Sequence, residues 1–218
     1  MDGQTERRIK DFLEKIPSGV KVVAATKCRS IELVRECPAH GIFAAGENRV
    51  QELLSKYQPV EGLEWHFIGQ LQTNKVKYIL DKVSLIQSLD RVSLADKLEE
   101  ECAKRGLTMP VLVEVKHGEE LTRDGVSPDG LMAFAEYVRG KKHLTLNGLM
   151  TVMPLGSEKS AFLYKKTYKL FEKLRENFGS DIKWLSMGMS VDYLTAIENG
   201  SNMIRPGRAL FGERFYAT

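Results

Sequence analysis

Apolar and polar positions along the chain follow a repeating alternation. Short, nearly continuous apolar runs alternate with longer segments in which apolar residues recur every three or four positions. The runs read as strands at 20–26 (VKVVAAT), 41–46 (GIFAAG), 64–69 (EWHFIG), 83–89 (VSLIQSL), 110–115 (PVLVEV), 146–151 (LNGLMT), 182–188 (IKWLSMG) and 202–207 (NMIRPG). The segments between them read as helices with physical end signals. Asp90 is the expected cap and Gly106 the stop of one; Ser127 caps another, with Pro128 at its first position and Gly140 past its end. In the segment SEKSAFLYKKTYKLFEKLRENFG, Leu163, Leu170, Phe171, Leu174 and Phe178 share a helical face and the lysines of KKTYK point into solvent.

Eight strand–helix units imply parallel strands joined by right-handed crossovers. Their number favours closure into an α/β (β/α)8 TIM barrel, with a doubly wound open sheet as the alternative. A further helix over about residues 4–16, with Ile9, Phe12, Leu13 and Ile16 on one face, precedes the first strand and is expected to cover the barrel bottom. Residues 1–218 are read as one domain.

Composition narrows the function classes. A chain of 218 residues with 43% hydrophobic residues builds a sizeable core, and its 32 basic and 29 acidic residues are dispersed along the sequence. No basic block points to nucleic acid. No apolar run approaches the ~18 residues of a membrane span, and the polar start MDGQTERRIKDF has no signal core, so a cytoplasmic protein is expected. Cys28, Cys37 and Cys102 lack metal or redox spacing; Cys28 is read as a small buried apolar residue.

In a barrel, chemistry gathers where strands end. Strand one ends in Lys27, while SMGMS and RPGRA place Gly188 and Gly207 at sharp turns after strands seven and eight. Such turns, with the hydroxyls of Ser186 and Ser190, make a phosphate cradle; ordinary turns with capping serines account for the same residues. Closure brings strand one beside strand eight, and so Lys27 beside the cradle. Partly desolvated and near Arg205, the Lys27 amine is expected to titrate low enough to form an imine with an aldehyde. Aldehyde, phosphate and a ring nitrogen facing Arg205 together describe pyridoxal phosphate. An arginine at the ring nitrogen keeps it unprotonated and restrains carbanion chemistry.

VVAATK, AGENRVQE, WHFIGQLQTNK, LIQSLDR, GLMT and LSMGMSVDYLTAIENGSNMIRPGRALFG, in this order, resemble the pyridoxal phosphate homeostasis protein family. The resemblance implies a barrel similar to the N-terminal domain of alanine racemase, holding pyridoxal 5'-phosphate as an imine on Lys27. It also implies Arg205 at the pyridine nitrogen, Ser190 with the backbone of Gly207 and Arg208 at the phosphate, and Asn48, Ser186 and Met187 lining the pocket. The implied role is intracellular cofactor homeostasis and supply to apo-enzymes, without catalytic residues or metal. The alternative is a racemase or related enzyme. That chemistry needs a second acid/base group, which racemases of this fold take from an added β-domain not expected here; Tyr193 is the local candidate. A monomer is expected. His66 is read as a packed, hydrogen-bonded barrel residue rather than a catalytic one. The chain departs from the family pattern at Gln70, where histidine is usual, and at Lys116, where asparagine is common; Lys116 is expected to meet solvent.

Overall fold

The computed structural model describes residues 1–117, 125–153 and 160–213. All eight expected strands form: β1 (Lys21–Ala25), β2 (Ala44–Glu47), β3 (Glu64–Phe67), β4 (Leu85–Leu89), β5 (Met109–Glu114), β6 (Leu144–Met150), β7 (Trp184–Ser186) and β8 (Met203–Ile204). They are parallel and close in sequence order, with β8 pairing to β1 through Lys21 opposite Met203 and Val22 opposite Ile204. The closed barrel, not the open sheet, is therefore the architecture. Alternation along β1 shows why the run is apolar throughout. Val23 faces the interior cluster with Ile68, Leu85, Leu112, Met150 and Met203, while Val22 and Ala24 face the surrounding helices, so both sides of the strand are dry.

Around the barrel lie α1 (Gly3–Leu13), α2 (Ile31–Glu36), α3 (Val50–Lys56), α4 (Val92–Arg105), α5 (Leu131–Arg139), α6 (Ser160–Phe178), α7 (Tyr193–Glu198) and α8 (Arg208–Phe211). Helix α1 does not cover the barrel bottom as its position in the sequence suggested. Its face of Ile9 and Phe12 packs with Val22, Ala24, Ile204, Leu210 and Phe211 in the outer layer. Helix α8 has only four residues, and α1 shares with its Leu210 and Phe211 the covering of the outer side of β1 and β8.

Two helix starts also fall later than expected. Asp90 does not cap α4, which opens after Arg91; the Asp90 carboxylate instead accepts from Arg91 Nη1 at 2.6 Å. Ser127 caps a turn, its Oγ accepting from Gly130 N–H at 3.2 Å, and α5 opens only at Leu131. Gly106 ends α4 in the left-handed conformation (φ 61°), as its position predicted. On α6 the buried stripe is Tyr164, Thr167, Phe171 and Leu174, with Leu163, Leu170 and Phe178 half-buried beside it. The expected start of that helix, residues 157–159, lies outside the described residues. Lys165, Lys166 and Lys169 are exposed. Cys28 is exposed, correcting its expected burial, whereas Cys37 and Cys102 are buried. No helix among the described residues is long and apolar enough to cross a membrane.

His66, on β3, is buried inside the barrel between Gln87 and Glu64. Burial lowers the pKa of His66, and likewise that of half-buried His117. The unfolded chain takes up protons on these imidazoles near pH 6.5, while the folded chain resists. Their contribution is thus complete above that pH and is lost as pH falls through it. Burial shifts Glu47 upward, so that group works in the opposite sense within the carboxylate range. Thermal unfolding followed from pH 7.5 to 5.5 is expected to show a falling midpoint. The slope should be shallower in His66→Gln.

Candidate functional site

The ends of β1, β7 and β8 are stitched together at one mouth. Ala25 N–H donates to Pro206 O at 2.8 Å and Arg205 N–H to Gly188 O at 2.9 Å. Gly207 lies so close to β1 that an added Cβ would stand 3.2 Å from Ala25 O. Lys27, half-buried, lies two residues beyond Ala25, the β1 residue that meets Pro206 and Gly207.

The turn that carries Lys27 is held from below. Thr26 is buried, its hydroxyl donating to Glu47 Oε1 at 2.5 Å, and Cys28 adopts φ 60°, a left-handed conformation that side chains other than glycine rarely take. Cys28 N–H donates to Glu52 Oε1. Lys56, near the end of α3, closes the turn by donating to Thr26 O (2.9 Å), Arg29 O (3.0 Å), Glu47 Oε1 (2.8 Å) and Glu52 Oε1 (2.9 Å). Both Glu47 and Lys56 are buried, and burial raises the Glu47 carboxyl against the pull of Lys56 and Thr26. The motif reading had attached no role to Lys56. Its one visible signal was the Glu52–Lys56 spacing of four on a helix.

Arg205 is buried at the end of β8 and fixed at two nitrogens: Nη1 donates to Ser186 Oγ at 2.6 Å and Nη2 to Thr151 O at 2.7 Å. Burial lowers its pKa, opposed by Glu114, Tyr164 and Asp192. An arginine so placed still has N–H groups to offer, since guanidinium has five donors and no acceptor. Ser190, on the loop after β7, accepts from Gly207 N–H (3.0 Å) and Ala209 N–H (3.1 Å), so its hydroxyl oxygen lies against the backbone donors at the start of α8. Arg208 is exposed, its guanidinium 3.7 Å from Glu213 Oε1.

Asn48 follows β2 directly, and its Oδ1 is buried with no hydrogen-bond partner among the described residues. Gly69, at the end of β3, crosses close above it: a Cβ there would stand 2.2 Å from Asn48 O. Of the eight expected site residues, Lys27, Asn48, Ser186, Ser190, Arg205, Gly207 and Arg208 occupy the strand ends and loops of this mouth. Met187 is the exception. Strand alternation turns its side chain outward, and it is fully buried in the apolar layer between barrel and helices. Tyr193 packs on α1, its ring 4.7 Å from that of Phe12. Gln70 is exposed. Lys116 is half-buried at its backbone pairing with Val126.

Residues 3–215 match the family model described as alanine racemase, N-terminal domain. A pyridoxal phosphate homeostasis protein of Aquifex aeolicus is 41% identical over 216 residues, which cover 96% of this chain and 95% of that protein. One from Mus musculus is 34% identical over 213 residues, covering 90% and 78%. Among solved structures, PipY of Synechococcus elongatus PCC7942, a COG0325 family member with PLP bound, superposes with a TM-score of 0.85 at 28% identity, over 96% of this chain and 100% of that one. An alanine racemase from Clostridium difficile 630 shares the barrel, with a TM-score of 0.79 at 17% identity over 98% of this chain and 59% of its own. Identity at this level over nearly the same span, on the same closed barrel, places the chain in the pyridoxal phosphate homeostasis protein family.

Proposed function

We propose that this chain binds pyridoxal 5'-phosphate at the barrel mouth and serves intracellular homeostasis of that cofactor, without catalytic turnover. The observation that carries the reading is the convergence of Lys27, Arg205 and the backbone donors of residues 207–209 on one mouth, drawn together by the β1–β8 closure. The residues fit the group. Ser190 Oγ already occupies the place of an anionic oxygen against Gly207 and Ala209 N–H, and the hydroxyl can rotate to donate when a phosphate takes those donors. The unpartnered Oδ1 of Asn48 awaits a donor at the same mouth. Bound there, the cofactor supplies an aldehyde for the Lys27 amine and a ring nitrogen for Arg205.

The racemase alternative needs a second proton-transfer group facing the first across a substrate. Tyr193 packs on α1, and the buried Tyr164 phenol donates to Asp192 Oδ2 at 2.7 Å, with burial and that carboxylate raising its pKa far above the usual range. Neither geometry favours turnover. PipY with PLP bound and relatives named for homeostasis support the holding role; apo-enzymes are the recipients we propose.

The test is to mix protein with pyridoxal phosphate, reduce with borohydride and map the modified peptide. Modification is expected on Lys27. Modification on Lys116 alone, or none, would sink the reading.

A further inference from the structure

One hydrogen-bonded chain runs through the barrel from the mouth to the opposite end. Arg205 Nη1 donates to Ser186 Oγ (2.6 Å), Ser186 Oγ to Gln87 Oε1 (2.6 Å), and Gln87 Nε2 to His66 Nδ1 (2.9 Å). His66 Nε2 lies 3.2 Å from Glu64 Oε2, which also accepts from Lys21 Nζ at 2.5 Å. Five strands or strand ends contribute, and Arg205, Ser186, Gln87 and His66 are all buried. Barrels of this kind are usually filled by branched apolar residues, so a continuous polar column is a departure that needs a reason.

The direction of the chain is set from the far end. The Glu64 carboxylate only accepts, and its pKa is held down to about 2, first by the His66 hydrogen bond and then by Lys21. His66 must therefore carry its proton on Nε2 and present a bare Nδ1. A bare Nδ1 takes an amide N–H of Gln87, whose other contact is Met203 Sδ at 3.3 Å. That turns the Gln87 oxygen toward Ser186, and the hydroxyl spends its single proton on it. Ser186 is left with lone pairs alone to offer Arg205, which is a donor and nothing else. If His66 carried its proton on Nδ1 instead, Gln87 would turn over, and Ser186 would face donors on both sides.

We propose that Gln87, His66 and Glu64 are positioning residues that fix the Ser186 hydroxyl and through it the angle at which Arg205 meets the cofactor ring. The proposal rests on the reading above that a pyridine nitrogen lies against Arg205; none of the three touches the cofactor. Charged and titratable groups facing the two ends are Glu114 on β5, Tyr164 on α6 and Asp192 after β7 at Arg205, and Lys21 on β1 at His66.

Two readouts test it. In cofactor-free protein, nitrogen NMR of labelled histidine is expected to show His66 as the Nε2–H tautomer, and Glu64→Gln, a change at a half-exposed carboxylate, to admit the other tautomer. In the loaded protein, Glu64→Gln is expected to shift the visible band and weaken cofactor binding about two- to threefold, and Gln87→Leu about tenfold, as loss of the hydrogen bond that orients Ser186 implies. Glu61→Gln, which removes an exposed charge just before β3, should change neither readout. A loaded wild type whose band and affinity are unmoved by Glu64→Gln and Gln87→Leu overturns the relay and leaves the column as barrel filling. An Nδ1–H tautomer in the wild type overturns it too. A wild type that takes up no cofactor overturns instead the reading on which the relay rests, while the tautomer still reports the direction of the chain.

Discussion

Lys27→Ala is expected to remove the visible imine band completely and to weaken pyridoxal phosphate binding by about tenfold or more, while leaving a residual, non-covalent complex. The other anchors explain the residue of binding. Arg205 is held by Ser186 and Thr151, and the donors of Gly207 and Ala209 face Ser190; none of these depends on the Lys27 side chain. The variant should fold as the wild type does, since Lys27 is half-buried in a turn whose carbonyls at Thr26 and Arg29 are held by Lys56. Absorbance titration against the wild type checks both halves. An undiminished band in the variant would assign the covalent bond to another amine. Complete loss of binding would mean that the phosphate and ring anchors contribute far less than their geometry promises.

Lys56→Met is expected to destabilise the fold by about 3–5 kcal/mol, the cost of leaving a buried carboxylate without its cation. Glu47 is fully buried, and after the change it would keep the hydrogen bond from the Thr26 hydroxyl, while the carbonyls of Thr26 and Arg29 lose their common donor. The double variant Lys56→Met/Glu47→Gln should recover much of that loss, because an uncharged amide tolerates the same burial far better. Urea unfolding of the four proteins measures the coupling directly. The single variant should also bind cofactor more weakly, since the carbonyls it releases flank Lys27 and Cys28. A loss below about 1 kcal/mol would show that Glu47 takes up a proton and needs no cation.

The strand rhythm was legible because most strand positions in a closed parallel barrel are buried on both sides, so the strands read as largely apolar runs even where His66, Gln87 and Ser186 interrupt them. Lys27, Arg205 and the glycine turns were legible for a related reason. A barrel gathers strand ends on one face, so position along the sequence already implies position in space. Helix starts were less legible. Asp90 and Ser127 have the chemistry of caps, but Asp90 pairs with Arg91 and Ser127 closes a turn, and the choice between such local partners is made by how the flanking strands arrive.

What the sequence by itself determined is the number and order of the strands, the amine after β1 and the donor-rich loops after β7 and β8, all local patterns. Three things required the tertiary structure. Helix α1 joins the four-residue α8 in the outer layer over β1 and β8. Met187 faces away from the mouth because the β7 alternation sends Ser186 inward. The partners of Lys56 and Gln87 come from segments 21 to 116 residues away, apart from those of Lys56 on β2 and on its own helix. Burial and hydrogen-bond direction are properties of the closed barrel: a polar side chain's partner is whatever closure places within reach, and no local spacing encodes it.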